Sequence, residues 1–145
     1  MKITIETPIE GQEDEVIFRC ANLDERLLKI ISSLKSDQGS LTGYADDCIV
    51  KLNPKDIFYF ESVDNKVFAY SGKNVYEIRK KLYEIEEEFL NSDYMRISKS
   101  AIINISKIAY VKPILNGRFE AKLKNDEKII ISRQYVNELK KRLDI

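Results

Sequence analysis

The stretch YMRISKSAIINISKI (residues 94–108) is the most informative part of this sequence. It sets the polar residues Arg96, Lys99, Ser100 and Asn104 among short apolar runs. Apolar residues on both sides of a polar group predict that the segment is anchored in a core while its cations and hydroxyls reach solvent. Such groups favour binding of an anion. Asn104, between two isoleucines, is predicted to be structural because asparagine readily bonds the backbone of its own turn.

Strand patterns with short connections flank this segment on both sides. Before it, alternation of apolar and polar residues predicts strands at 41–44, 48–52, 57–61, 66–70 and 74–78. After it, strands are predicted at 107–112, 119–123 and 128–131. Turn residues separate them, including Pro54, Asp64-Asn65, Gly72 and Asn116-Gly117. Connections this short favour antiparallel hairpins over parallel crossovers.

Three helices are predicted around these strands. Apolar residues at helical spacing indicate helices at 79–89 and 133–143, the second with Ser132 as its N-cap. In the first 40 residues, two short strands are predicted at 3–6 and 15–19, followed by an amphipathic helix with Asn22 as N-cap. The polar sequence at 37–40 suggests a boundary. We therefore expect a strand-and-helix appendage at 1–40 and a main domain at 41–145.

The composition excludes several classes of protein. The chain has 145 residues, no histidine and two cysteines, and it contains neither a glycine-rich phosphate loop nor a nucleophile motif. We therefore expect no catalytic residue, no metal and no cofactor. Cys20 and Cys48 fit no metal-ligand spacing and are predicted to be buried thiols. No signal peptide and no apolar run near the roughly 20 residues of a membrane span is present, which predicts a cytoplasmic protein.

The formal net charge is zero, but the charges are segregated. Residues 1–40 hold five basic and eight acidic residues, whereas residues 94–145 hold twelve basic and five acidic ones. Segregation of this kind can give a neutral protein a basic face that suits nucleic acid. The acidic run at residues 84–88 is predicted to be a solvated helix face, where substitutions have little effect.

Three groups of polar residues could form one binding surface. They are the turn with Asn65 and Lys66, the segment with Arg96, Lys99 and Ser100, and the junction Ser132-Arg133. Taken singly, each has a structural explanation, as a turn residue, a helix cap or a solvated cation. Considered one at a time, these structural explanations are favoured over a role in binding.

Four motifs in order resemble the LytTR (LytR/AlgR-type) DNA-binding domain. They are Phe60-Glu61-Ser62, the segment from Arg96 to Asn104, Asn116-Gly117, and residues 129–133. The resemblance covers about residues 41–143 and implies an α+β, β-rich fold of small antiparallel sheets with short flanking helices. It further implies a transcriptional regulator that binds double-stranded DNA sequence-specifically and inserts loops into major grooves. Such proteins commonly bind paired direct repeats, often as dimers.

Carried over residue by residue, the resemblance implies DNA contacts by Asn65, Lys66, Arg96, Lys99, Ser100 and Arg133. The resemblance supports the roles of Asn65 and Lys66 least, because this loop varies in length among relatives. Many relatives carry a receiver domain, which does not fit into about 40 residues. The resemblance is therefore to stand-alone regulators, some of which are restrained by a membrane protein. An interaction module that holds a partner through its N-terminal helix is the alternative.

Overall fold

The computed structural model describes residues 1–35, 41–90 and 92–145. The chain forms two compact units, Met1–Asp37 and Gln38–Ile145. The helices are α1 (Glu25–Lys35), α2 (Leu82–Glu88) and α3 (Arg133–Arg142). The strands are β1 (Leu41–Ala45), β2 (Cys48–Leu52), β3 (Tyr59–Val63), β4 (Lys66–Ser71), β5 (Asn74–Ile78), β6 (Tyr94–Ser98), β7 (Ala101–Asn104), β8 (Ile108–Pro113), β9 (Phe119–Leu123) and β10 (Lys128–Ile131). Within these ranges, no helix is long and apolar enough to cross a membrane.

The N-terminal unit contains α1 but no strand among its described residues. The strands predicted at 3–6 and 15–19 are therefore wrong. Alternating apolar residues fit a strand, but a strand also needs a neighbour for its ladder hydrogen bonds, and neither segment pairs with another described residue. The predicted helix is confirmed, although its cap is Asp24, whose Oδ1 accepts a hydrogen bond from Leu27 N at 2.9 Å. The predicted boundary at 37–40 lies outside the described residues.

The second unit is built on a seven-stranded antiparallel sheet in the order β2-β1-β5-β4-β3-β7-β6. Asp46-Asp47 and Asp64-Asn65 join β1 to β2 and β3 to β4, and all four residues have φ between 49° and 63°. Two consecutive residues at positive φ form the hairpin turn that matches the twist of paired strands. Residues Tyr59 to Glu61 of β3 pair with β7, so β7 lies inside the sheet while β6 forms its edge.

The seven-stranded sheet separates two hydrophobic cores. Successive strand residues point to opposite faces, and Ile102 and Ile103, both fully buried, belong one to each core. The core on one face is closed by Leu82 and Ile85 of α2. The other contains residues of α3 and of a three-stranded antiparallel sheet in the order β10-β9-β8. Strand β7 therefore anchors the whole unit.

Three local predictions need correction. Helix α2 begins at Leu82 instead of residue 79, because Lys81 has extended backbone with ψ of 154° and occupies the N-cap position. Cys20 and Cys48 are free and exposed, not buried. Cys48 begins β2, which is an edge strand and pairs with β1 only. One side of this strand is therefore open to solvent. Helix α3 ends one residue before its predicted end, and Ser132 is its N-cap residue although the hydroxyl makes no capping bond.

Candidate nucleic-acid interface

The three predicted loci lie together at one end of the seven-stranded sheet. The Asp64-Asn65 turn follows β3, and Ser62 N, near the end of β3, donates to Ser100 O at 2.8 Å. Ser132 N donates to Ile97 O at 2.9 Å, so the start of α3 adjoins the same hairpin. We call the surface formed by Asn65, Lys66, Lys99, Ser100 and Arg133 the cationic end. All five residues are exposed.

The first locus is the turn between β3 and β4. Asn65 has φ of 63°, a left-handed conformation that asparagine tolerates better than most residues. Lys66 begins β4 opposite Val63. The structure thus gives Asn65 a turn role and leaves the side chains of Asn65 and Lys66 exposed.

The second locus is the hairpin of β6 and β7. Ser98 pairs with Ala101, so its loop consists only of Lys99 and Ser100. A register shift between Arg96 and Ser98 marks a bulge, a feature that re-aims side chains near the end of a strand. Ser98 Oγ accepts a hydrogen bond from Ser100 N at 3.2 Å and closes the loop.

Arg96 differs from the other predicted residues because its guanidinium already has partners. Nε donates to Ser98 O at 2.7 Å, and Nη2 donates to Lys99 O. Nη1 lies 3.0 Å from Oε2 of Glu86 in α2. The side chain is 18% exposed. Arg96 therefore supports the tip of the hairpin, and no pattern in the sequence indicates its contact with Glu86.

The third locus is the start of α3. Arg133 packs over Gly117, where an added Cβ would lie 2.8 Å from Arg133 Cδ and 3.0 Å from Cγ. Asn116 and Gly117 have φ of 65° and 71°, so the predicted turn forms as a tight bend between β8 and β9. The sequence predicted this turn but not its contact with Arg133. The absence of a side chain at Gly117 leaves room for the Arg133 stem.

The cations of this surface have no acidic partner among the described residues. None of Lys66, Lys99 and Arg133 forms an ion pair there, whereas Arg96 pairs with Glu86 and Arg142 with Glu138. A cation that neutralises no carboxylate of its own protein can interact with an external anion without first breaking an ion pair. The electrostatics of the cationic end therefore favour anion binding.

Buried polar contacts fix the base of the hairpin. Asn104, 2% exposed, donates from Nδ2 to Ile57 O at 2.8 Å. Its Oδ1 accepts from Ser106 N at 3.1 Å and from Ser106 Oγ at 2.7 Å, which confirms its predicted structural role. The Tyr94 hydroxyl donates to Pro54 O, and burial raises the pKa of that hydroxyl.

Other parts of the described chain offer less chemistry. No group of three acidic, cysteine or histidine side chains in the described ranges is placed to hold a metal. An open cleft of about 420 Å³ at the β1–β2 turn contains none of the predicted site residues. It is lined by Tyr44, Ala45, Asp46, Asp47, Cys48, Ile49, Glu77 and Arg79.

Comparison with curated proteins shows relatives among bacterial regulators. The chain is 33% identical over 100 residues to the sensory transduction protein LytT of Bacillus anthracis, covering 69% of this chain and 41% of that protein. It is 32% identical over 136 residues to LytT of Bacillus subtilis, covering 94% and 56%. It is 27% identical over 147 residues to an uncharacterized HTH-type transcriptional regulator of Staphylococcus aureus, covering 100% and 99%. The chain thus spans about two fifths to about half the length of the LytT proteins.

A solved LytTr DNA-binding domain from Bacillus cereus has the same fold, with a TM-score of 0.69 at 21% identity. The match covers 73% of this chain and 97% of that domain, which confirms the predicted β-rich antiparallel fold. The family model of the LytTr DNA-binding domain, a family of DNA-binding domains and not of enzymes, matches residues 47–144. The resemblance inferred from four motifs is thereby confirmed, and the chain belongs to the LytTR DNA-binding domain family.

Proposed function

We propose that this protein is a transcriptional regulator that binds double-stranded DNA sequence-specifically and has no catalytic activity. The observation that carries the proposal is the cationic end, where Lys66, Lys99 and Arg133 are exposed without an acidic partner among the described residues. Phosphate contacts by such cations supply much of the affinity of DNA-binding proteins. The family match and the regulator names of the relatives support the same conclusion.

The proposed mode of binding is insertion of loops into the major groove. Lysine and arginine suit guanine edges and phosphates, and asparagine suits adenine, so Asn65, Lys99 and Arg133 are the proposed base readers. Lys66 and the Ser100 hydroxyl are placed to contact phosphate. The inner face of helix α3 is not available to DNA, because Val136 and Leu139 on that face are buried in a core. Only its first turn reaches the cationic end.

The DNA contact predicted for Arg96 has a different status. Its guanidinium is occupied by Glu86 and by two carbonyls of the hairpin. A direct contact with DNA would require Arg96 to exchange Glu86 for a phosphate. We therefore propose that Arg96 acts mainly by supporting the loop that carries Lys99.

Assembly on DNA is proposed from the family resemblance. Two copies bound to paired direct repeats would each place one cationic end in successive major grooves, which face the same side of the duplex about one helical turn apart. A membrane-protein inhibitor and a cytoplasmic location stay predictions.

An interaction module is the second candidate function, favoured by one observation. Ile30 and Leu34, four residues apart on the apolar stripe of α1, are 38% and 50% exposed, although amphipathic helices normally bury their apolar stripe. We propose this stripe as the surface for a second copy or for another protein. If this were the sole function, the chain would show no affinity for its upstream DNA at low salt.

Protection mapping on the protein's own upstream region, combined with Lys99→Ala, tests the proposal. If Lys99 reads a base, Lys99→Ala should lose about 1–3 kcal/mol, or roughly 5- to 150-fold, and discrimination at one base pair. If Lys99 contacts phosphate, the salt slope should fall by about 0.9 for all sequences. Lys73→Ala is the matched control, because Lys73 is an exposed cation in the β4–β5 turn at the opposite end of β4. Equal affinity of both variants would contradict the assignment.

A further inference from the structure

One guanidinium links helix α2 to the tip of the β6–β7 hairpin. Arg96 donates to the carbonyls of Ser98 and Lys99 and contacts Glu86 at 3.0 Å. These three contacts use Nε, Nη2 and Nη1, so all three nitrogens of the planar guanidinium have a partner. The ion pair is partly shielded from water, since the side chains of Arg96 and Glu86 are 18% and 45% exposed.

This arrangement controls the loop that carries Lys99 and Ser100. Both carbonyls that accept from Arg96 lie within or directly before the two-residue loop. Their orientation fixes the peptide planes on either side of Lys99, because a peptide unit is planar. Glu86 binds the remaining nitrogen, Nη1, and its helix is held by the buried residues Leu82 and Ile85.

Glu86 is unlike its neighbours in the acidic run at residues 84–88. Glu88 pairs with Lys80 at 2.6 Å, outside the cationic end. Glu84 and Glu87 are exposed and form no ion pair with any described residue. The expectation that substitutions throughout this run have little effect therefore has an exception at the residue that meets Arg96.

We propose that Glu86 is a positioning residue for DNA binding. It holds the Arg96 guanidinium on the two hairpin carbonyls and so fixes Lys99 and Ser100 before DNA arrives. A loop that is already ordered loses less conformational entropy on binding, which increases affinity. This inference rests on the proposed function, since it concerns the same DNA-binding surface.

Glu86→Lys and Glu87→Lys form a matched pair that separates positioning from general electrostatics. Each change makes helix α2 more positive by two charges, which by itself strengthens attraction to DNA. We expect Glu87→Lys to bind promoter DNA as tightly as the parent or up to threefold more tightly. Glu86→Lys repels Arg96 and should bind at least threefold more weakly despite the same gain of positive charge. Glu86→Gln, the milder change should Glu86→Lys not fold, should weaken binding about two- to fivefold.

A double-mutant cycle with Arg96→Gln tests whether Glu86 acts through Arg96. If Glu86 only stabilised the fold, its effect on DNA affinity would not depend on Arg96. If Glu86 acts through Arg96, Glu86→Lys should not weaken binding further when Arg96 is already replaced. Titrations with fluorescent promoter DNA and thermal melts of each variant give affinity and stability separately. A weakening of equal size in both backgrounds would overturn the inference.

Whether each substitution tightens or weakens DNA binding distinguishes the remaining outcomes. If Glu86→Gln tightens binding more than a matched Glu87→Gln, Arg96 leaves Glu86 to contact DNA directly, and positioning by Glu86 is refuted. If Glu86→Lys binds as tightly as Glu87→Lys, the inference is likewise refuted while the proposed function stands. A parent protein without affinity for DNA would overturn the proposed function itself, and the inference with it.

Discussion

Replacing Gly117 with alanine should weaken DNA binding by displacing a residue that is not itself changed. Gly117 has φ of 71°, and a Cβ there would lie 2.8 Å from Cδ of Arg133. Carbon atoms in ordinary contact are about 3.5–4.0 Å apart, so the Arg133 stem must move by roughly 1 Å. Because the stem is flexible, it can move, and the guanidinium then leaves its position at the cationic end.

Gly117→Ala should lower both the stability of the unit and its affinity for DNA, by amounts that can be estimated separately. Alanine in the left-handed region costs about 1–2 kcal/mol, which lowers the melting temperature of a domain of this size by roughly 4–16 °C. If Arg133 reads a base, its full loss costs about 1–3 kcal/mol of binding free energy. Gly117→Ala should therefore bind DNA with an affinity between those of the parent and Arg133→Ala.

Gly72→Ala is the control for backbone strain. Gly72 has φ of 58° in the β4–β5 turn, and an added Cβ there meets no atom within 4 Å. Both alanine variants should melt at lower temperatures, but only Gly117→Ala should lose affinity for promoter DNA in a titration well below either melting temperature. Equal DNA affinity of the two variants would refute the reasoning that Gly117 positions Arg133.

Two further predictions concern the base of the hairpin. Asn104→Ala should lower the free energy of unfolding by about 2–4 kcal/mol, because it leaves Ile57 O and Ser106 N without their buried partner. Urea unfolding measures this loss, and Asn125→Ala, whose amide nitrogen has no partner among the described residues, should cost about 1 kcal/mol or less. Tyr94 has a pKa raised by burial, so its stabilising effect is complete below the unfolded pKa of about 10 and is lost as pH rises further. Tyr94→Phe should therefore reduce the fall in unfolding free energy above pH 10, and an unchanged fall would contradict this assignment.

The hairpins were predictable from the sequence because their causes are local. Asp64-Asn65 can adopt the two positive φ angles that a two-residue turn requires, and alternating residues on either side define the strands. The same local reasoning failed at residues 3–6 and 15–19, where the alternation is present but no described strand pairs with it. Local pattern describes which residues could form a strand, whereas pairing depends on residues far away in the sequence.

The candidate site was predictable as a set of residues but not as a geometry. Charge and motif singled out Lys99 and Arg133, yet their proximity depends on the bond from Ser132 N to Ile97 O. No spacing in the sequence indicates that bond. The contact of Glu86 with Arg96 was missed for the same reason, since the sequence pattern predicts every acidic residue of this run to be solvated.

The four residues after the Lys99-Ser100 loop explain how a two-residue tip can be held rigidly. Ala101, Ile102, Ile103 and Asn104 are all buried, and the two isoleucines enter different cores. Opening the hairpin would expose both cores at once, at a cost of about 1.5–3 kcal/mol for each isoleucine. Local opening of this segment is therefore coupled to unfolding of the whole unit. The apolar run that follows the loop thus holds the backbone from which Lys99 and Ser100 extend, and it ties the stability of this hairpin to that of the unit.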